Sequence, residues 1–318
     1  MRIALDLLLL LVGLVLLVQS AKLFVDSSVG IATRLKIPKR VIGLTVVAMG
    51  TSAPEVVISV SAASGGSGDL AVANIVGSNI FNLLFIVGFC ALLYPITVQL
   101  KAISRDYWVS AGATLALLAM VMVFGDTLPR WGSFILFAGF VTYMVVVVRH
   151  ALKNRIEEAE TSTQEAAPKP LGRSICFTLL GAALIVAGGQ LTVWAASNLA
   201  LDLGITQRVV GLTIVAMGTS LPELVTTLIA CRKGEGEFAL GFIIGSSIFN
   251  IMFVLGLAGL ITPLAIDSSV VYDMAVLAIG TLAFFLFAHS SRKVVRMEGL
   301  TMMGMYLAYM VFVLFLQA

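Results

Sequence analysis

The stretch Gly43-Leu44-Thr45-Val46-Val47-Ala48-Met49-Gly50-Thr51-Ser52-Ala53-Pro54-Glu55 occurs again as Gly211-Leu212-Thr213-Ile214-Val215-Ala216-Met217-Gly218-Thr219-Ser220-Leu221-Pro222-Glu223, identical at 11 of 13 positions. Each copy closes on a hydroxyl-rich segment with a proline and a carboxylate, inside a run apolar enough to cross a bilayer. A carboxylate at membrane depth is costly and marks a functional site by default. The proline removes an amide and leaves the carbonyl four residues back, on Gly50 or Gly218, without its helical partner. Such backbone is tolerated in a membrane only where it is buried in protein or lines a cavity. Two copies predict one site assembled from two halves.

Working outward, a shift of 168 residues matches the chain to itself without a gap from Arg40 to Ile96. Gly77-Ser78-Asn79-Ile80-Phe81-Asn82 meets Gly245-Ser246-Ser247-Ile248-Phe249-Asn250, Gly88 meets Gly256, and Pro95 meets Pro263. Packing alone would preserve the glycines and the Phe81/Phe249 pair. It gives no reason to keep Glu55, Asn82, Thr51 and their mates in apolar surroundings.

Those surroundings extend over the whole chain, which is 59% hydrophobic and only 12% charged over 318 residues, with a mean hydropathy of +1.06. A soluble core cannot hide that much apolar surface. At about 20 residues per crossing, ten spans are read: 3–24, 40–63, 69–94, 107–125, 131–149, 173–198, 206–230, 237–262, 270–288 and 298–316. Val18-Gln19-Ser20 could pass for a signal-peptidase site, but only Arg2 precedes the run as a basic residue and Asp6 follows closely. The first run is therefore kept as a membrane helix. The one long link, 150–172, carries Glu157, Glu158, Glu160, Glu165, Pro168 and Pro170 and reads as a flexible linker.

Orientation follows from the basic residues. Only Arg2, Arg130 and Arg208 fall on the N-terminal side of this arrangement; the remainder of the 20 Lys and Arg residues fall on the other, which is therefore cytoplasmic. This sorting, rather than nucleic acid, accounts for the net charge of +3. Five spans per half is an odd number, so the halves insert with opposite orientation, the plan of secondary transporters with a site at the repeat interface. The expectation is an all-α polytopic membrane protein of ten transmembrane helices in two inverted five-helix repeats, 1–149 and 173–318, joined by a cytoplasmic linker, 150–172. It is placed in the plasma (inner) membrane with both termini extracytoplasmic.

The candidate ligands are Thr51, Ser52, Glu55, Ser78 and Asn82, with Thr219, Ser220, Glu223, Ser246 and Asn250. Thr51 and Glu55 are four apart, as are Ser78 and Asn82, so each pair shares a helix face. The set holds hard oxygen donors with no thiolate or imidazole, which suits Ca²⁺ and Na⁺ rather than soft metals. One Ca²⁺ or two Na⁺ would neutralise the two glutamates, and an empty site with two buried charges should resist crossing. Protons compete for the same oxygens, so proton coupling stays open. Gly43, Gly50, Gly77 and Gly88 and their mates let helices approach closely. Asp69 and Glu237 stand at helix starts as caps or dipole partners. Cys90, Cys176 and Cys231 read as small core residues, His150 and His289 as interfacial, and Trp108, Trp131, Tyr94, Tyr107 and Tyr272 as interfacial anchors.

The two motif pairs closely resemble the paired alpha repeats of the calcium/cation antiporter superfamily, nearest its prokaryotic sodium/calcium exchangers, and the resemblance covers essentially the whole chain. It implies Na⁺-driven exchange of Ca²⁺ by alternating access, with Glu55 and Glu223 as central ligands. Thr51, Thr219, Ser52, Ser220, Ser78 and Ser246 supply neighbouring oxygens, and backbone carbonyls near Ala48 and Ala216 serve outer Na⁺ sites. Spans one and six are the mobile pair. Two departures stand out: Asn250 occupies a position where family members often carry aspartate, and Ser247 one where asparagine is usual. The linker is too short for a calcium-sensing domain. No cofactor, no nucleic acid and no obligatory protein partner are expected. The alternatives are a Ca²⁺/H⁺ or other cation/H⁺ antiporter and, behind it, a cation channel. An enzyme is poorly supported, since there is no nucleophile–base pair or metal-ligand cluster of the usual kinds.

Overall fold

Apolar runs bounded by short polar turns become helices here because, in hydrocarbon, only a helix or a closed barrel satisfies its own backbone. The computed structural model describes residues 2–125, 127–161, 170–203, 216–266 and 270–316. The helix α1 spans Arg2–Leu35; a broken segment follows, α2 Lys39–Ile42, a π-helical turn Gly43–Val47, α3 Ala48–Thr51 and α4 Ala53–Ser64. Next come α5 Gly68–Ile80, a π-helical turn Phe81–Ile86, α6 Val87–Leu93, strand β1 Ile96–Thr97, α7 Leu100–Phe124, strand β2 Thr127–Leu128 and α8 Arg130–Thr161. The second half holds α9 Leu171–Asp202, α10 Ala216–Gly218, α11 Leu221–Arg232, α12 Gly236–Ile248, a π-helical turn Phe249–Val254 and α13 Leu255–Ile261. It closes with β3 Leu264–Ala265, α14 Val270–Ser291, β4 Lys293–Val294 and α15 Arg296–Leu316.

Among the described residues seven helices are long and apolar enough to cross a membrane, and an eighth crossing is added if the bent pair Lys39–Thr51 and Ala53–Ser64 counts as one. Residues 204–215, which include the first ten of the seventh expected span, and 162–169 of the linker lie outside the described residues. Where boundaries can be compared most fall close to the expected ones; α7 begins at Leu100, seven residues before its expected start, and two helices run on past their expected ends. Helix α1 continues to Leu35 instead of stopping near 24, and α8 runs through the first part of the expected flexible linker to Thr161. The α1 extension is held by packing, with Val25, Ser28, Ile31 and Ala32 buried, whereas that of α8 is polar and rich in good helix formers, Ala, Leu, Lys, Arg and Glu.

The 168-residue shift holds in three dimensions. It carries α4 onto α11, α5 onto α12, the π turn at Phe81 onto that at Phe249, α6 onto α13, and β1 onto β3, each residue for residue. The strands pair across the halves: β1 with β4, Ile96 opposite Val294, and β2 with β3, Leu128 opposite Leu264. Helices α1 and α9 pack antiparallel along their length through small residues. A Cβ on Gly13 would stand 2.6 Å from Thr192 Oγ1, one on Gly188 2.8 Å from Leu17 N, and the Thr178 hydroxyl donates to Ser27 Oγ at 3.1 Å. Helix α12 lies as closely on α2 and the turn after it, because Gly241 faces Arg40 and Gly245 faces Leu44 backbone to backbone.

Several expectations about single residues are corrected. Tyr107 is buried, not interfacial; its hydroxyl donates to the Thr281 carbonyl at 3.0 Å, whereas its neighbour Trp108 is 57% exposed. Cys176 faces outward, while Cys90 and Cys231 are buried side by side. The repeat also reaches beyond Ile96: Tyr143 donates to Asp106 at 3.0 Å and Tyr309 to Asp273 at 3.1 Å, one carboxylate–phenol pair per half.

Candidate cation site

The geometry of the site begins with its prolines. Pro54 and Pro222 sit in the first turns of α4 and α11, where a missing amide costs nothing. Upstream of each the helix is interrupted at a serine, Ser52 with φ −80° and ψ 13° and Ser220 with φ −92° and ψ 8°. The segment around Ser52 bends by 50°. Glu55 and Glu223 therefore stand in the first turns of two new helices, where the helix dipole favours negative charge. The π turns at Phe81 and Phe249 carry Asn82 and Asn250, both buried; single π turns of this kind often mark functional sites.

Hydrogen bonds cross from each half to the other. Ser52 donates to Glu223 Oε1 at 3.1 Å, and Ser220 to Glu55 Oε1 at 3.5 Å. Thr51 lies beside Glu223, and Thr219 beside Glu55. The Ser52 and Ser246 hydroxyls share a hydrogen bond of 2.8 Å, and Asn82 Nδ2 reaches Ser246 Oγ at 3.5 Å. Asn250 Nδ2 donates to Asn79 Oδ1 at 3.2 Å, and Asn79 Nδ2 to the Ser247 carbonyl at 3.4 Å.

What remains is informative. Glu55 and Asn82 are 1% exposed, Glu223 and Asn250 0%. Among the described residues, Glu55 Oε2, Glu223 Oε2, Asn82 Oδ1 and Asn250 Oδ1 have no hydrogen-bond partner. An unmet buried polar atom costs about 1–3 kcal/mol, more when charged. All four atoms can accept a hydrogen bond or ligate a cation, and two come from each half. Carboxylate, amide and hydroxyl oxygens are the donors that Ca²⁺ and Na⁺ accept.

Of the sequence-predicted ligands, Asn82, Ser246, Ser52 and Glu223 are linked by hydrogen bonds, Thr51 lies on Glu223, and Thr219 and Ser220 lie on Glu55. Ser78 is buried on α5 in the same region. The Ala48 carbonyl accepts the Ser52 amide at 3.1 Å and the Thr51 hydroxyl at 3.4 Å, so it is engaged within its own helix. Ala216 opens the short helix α10, and the residues before it lie outside the described ones. Asn79 is the residue that sequence reasoning undervalued, because its mate is Ser247 and the symmetry fails there. Asn79 and Ser247 also line a cavity of about 20 Å³ with Tyr107, Ser110, Thr114 and Thr281, room for about one water.

Comparison with known proteins gives a consistent result. A sequence profile described as "Sodium/calcium exchanger protein" matches residues 5–149 and 173–315. The chain is 33% identical over 346 aligned residues to "Sodium/calcium exchanger MaX1" of Methanosarcina acetivorans, covering 97% of this chain and 98% of that one. It is 39% identical over 265 residues to "Inner membrane protein YrbG" of Escherichia coli, covering 81% of each chain. It aligns with the solved structure of the sodium-calcium exchanger NCX_Mj soaked with zero Na⁺ and Ca²⁺ at a TM-score of 0.84, with 29% identity over 98% of this chain and 99% of that chain.

Proposed function

Because the chain belongs to the sodium/calcium exchanger protein family, whose members are membrane antiporters and not enzymes, we propose that it is a secondary active transporter exchanging Na⁺ for Ca²⁺ by alternating access. The observation that carries this reading is the set of four buried acceptor oxygens left unmet by the protein, two from each half. Glu55 and Glu223 are the shared cation ligands. Asn82 and Asn250 complete the ring, and the hydroxyls of Thr51, Ser52, Ser78, Thr219, Ser220 and Ser246 line it. Carbonyls near Ala48 and Ala216 serve the outer Na⁺ positions.

Ten spans in two inverted repeats, 1–149 and 173–318, fit the reading. Repeat mates β1 and β3 belong to two different strand pairs, which inverted halves require of equivalent loops at opposite faces. The linker 150–172 is then cytoplasmic and both termini extracytoplasmic, in the plasma (inner) membrane. The α1–α9 pair, joined by small residues and a single side-chain layer, is the part that moves against the rest.

Carboxylates with no cationic side chain bonded to them among the described residues also take protons, which favours cation/proton exchange as the second reading. Uptake of radiolabelled Ca²⁺ into proteoliposomes separates the two. Vesicles loaded with Na⁺ should accumulate Ca²⁺, and K⁺-loaded vesicles should not. Uptake that follows an imposed proton gradient and ignores Na⁺ would replace the first reading with the second.

A further inference from the structure

We propose that Asn79 is a positioning residue for the cation site. It fixes the amide of Asn250 so that Oδ1 is turned to the cation, and it does this in one half of the site only. The inference rests on the reading of this site as a cation site.

Asn79 is fully buried. Its Nδ2 donates to the Ser247 backbone carbonyl, and its Oδ1 accepts from Asn250 Nδ2. A backbone carbonyl can only accept, so it decides which end of the Asn79 amide faces it. With the nitrogen spent there, Asn250 meets an oxygen, and only its own nitrogen can answer. Asn250 Oδ1 is thereby left as a buried, unmet acceptor.

The other half lacks this chain of constraint. Ser247 stands where a second asparagine would complete the symmetry, and its hydroxyl donates to the Ile243 carbonyl of its own helix at 3.1 Å. Asn82 instead meets the Ser246 hydroxyl at 3.5 Å, and that hydroxyl is already shared with Ser52. A hydroxyl both donates and accepts, so it does not dictate which end of the Asn82 amide it faces. Two chemically identical amide oxygens therefore differ in freedom. That of Asn250 is preset, whereas that of Asn82 is adjustable. A preset ligand loses less freedom on binding, and residues that orient ligands without touching the ion change affinity by about 10- to 100-fold in metal sites.

The test is a double-mutant cycle read by equilibrium Ca²⁺ binding to the purified full-length protein: parent, Asn79→Leu, Asn250→Ala and both together. Leucine matches asparagine in side-chain heavy-atom count and branching and cannot hydrogen-bond. Asn79→Leu is expected to weaken Ca²⁺ binding by roughly three- to tenfold, the worth of one neutral hydrogen bond. Asn250→Ala should cost at least as much, and the double variant no more than Asn250→Ala, since Asn79 acts through Asn250. Unchanged affinity in Asn79→Leu, or losses that multiply in the double variant, would overturn the proposal. Asn79→Ala is read in the same way if the leucine variant does not fold. In proteoliposomes the apparent KM for Ca²⁺ should rise with the maximal rate held within about twofold; a lower maximal rate at unchanged KM would mark a purely structural residue and overturn the proposal. A parent that binds Ca²⁺ but moves it on a proton gradient would overturn Na⁺ coupling and leave the binding cycle to decide Asn79. A parent that binds no Ca²⁺ would overturn both.

Discussion

The two halves of this molecule share backbone almost residue for residue and differ in how they hydrogen-bond. From α4 to β1 the helices, π turn and strand repeat at a spacing of 168 in α11 to β3, and each half presents one glutamate to the hydroxyls of the other. Yet Asn74 donates to Ser59 at 3.1 Å in the first half, where the second has Phe242 and Thr227. Ser52 bonds both Glu223 and Ser246, whereas Ser220 reaches Glu55 at the outer limit of a hydrogen bond. A duplicated scaffold thus presents two ends that are alike in backbone and unlike in hydrogen bonding.

The hardest test of that comparison is the pair Glu55→Gln and Glu223→Gln. Charge count tunes calcium sites over decades of affinity, and each substitution is expected to lower Na⁺-driven Ca²⁺ uptake by about a hundredfold or more. Parent-like uptake in either variant would reduce the site to one carboxylate and end the symmetry argument.

Glycine mates sharpen the comparison at the level of packing. A Cβ on Gly68 would stand 2.5 Å from the Ala265 amide nitrogen, a backbone atom, whereas one on its mate Gly236 would meet the Cγ2 methyl of the Ile96 side chain at 3.3 Å. Gly68→Ala should cost about 1–3 kcal/mol of stability by overpacking, and Gly236→Ala less than about 1 kcal/mol because a side chain can give way. Thermal unfolding in detergent ranks the two. Equal losses would mean that β1 and β3 are held equally tightly against their neighbours.

The smallest effect is expected at the serines. Ser52→Ala removes two hydrogen bonds and Ser220→Ala one long one, so Ca²⁺ binding should weaken about fivefold and about twofold respectively. Calorimetric titration of both variants checks the order, and a reversed order would show that Ser220 shortens its contact once a cation is bound.

Much of this was legible in the chain. Apolar run length fixed where the helices lie, since hydrocarbon leaves the backbone no alternative. The repeat singled out Glu55, Glu223, Asn82 and Asn250, because isolated polar residues in apolar runs need a purpose. Other features depended on packing. Tyr107 and Trp108 are adjacent in sequence, and only the neighbouring helices decide that one is buried and the other faces out. The pairs Asp106–Tyr143 and Asp273–Tyr309 escaped notice because their spacings drift from 168 to 167 and 166, past the end of the gapless match. Asn79 breaks the symmetry, its mate being Ser247, and the break is what gives it a distinct partner.

The two short ribbons have a mechanical consequence. The β1–β4 pair ties the link after α6 to the link before α15, and the β2–β3 pair ties the link after α7 to the link after α13. Neither ribbon includes α1 or α9. The rest of the chain is laced into a frame at both ends, and α1 and α9 are fastened to each other but left out of the lacing. Among the described residues, what joins the α1–α9 pair to that frame is side-chain packing and the Lys233–Asp26 ion pair, with no strand pairing.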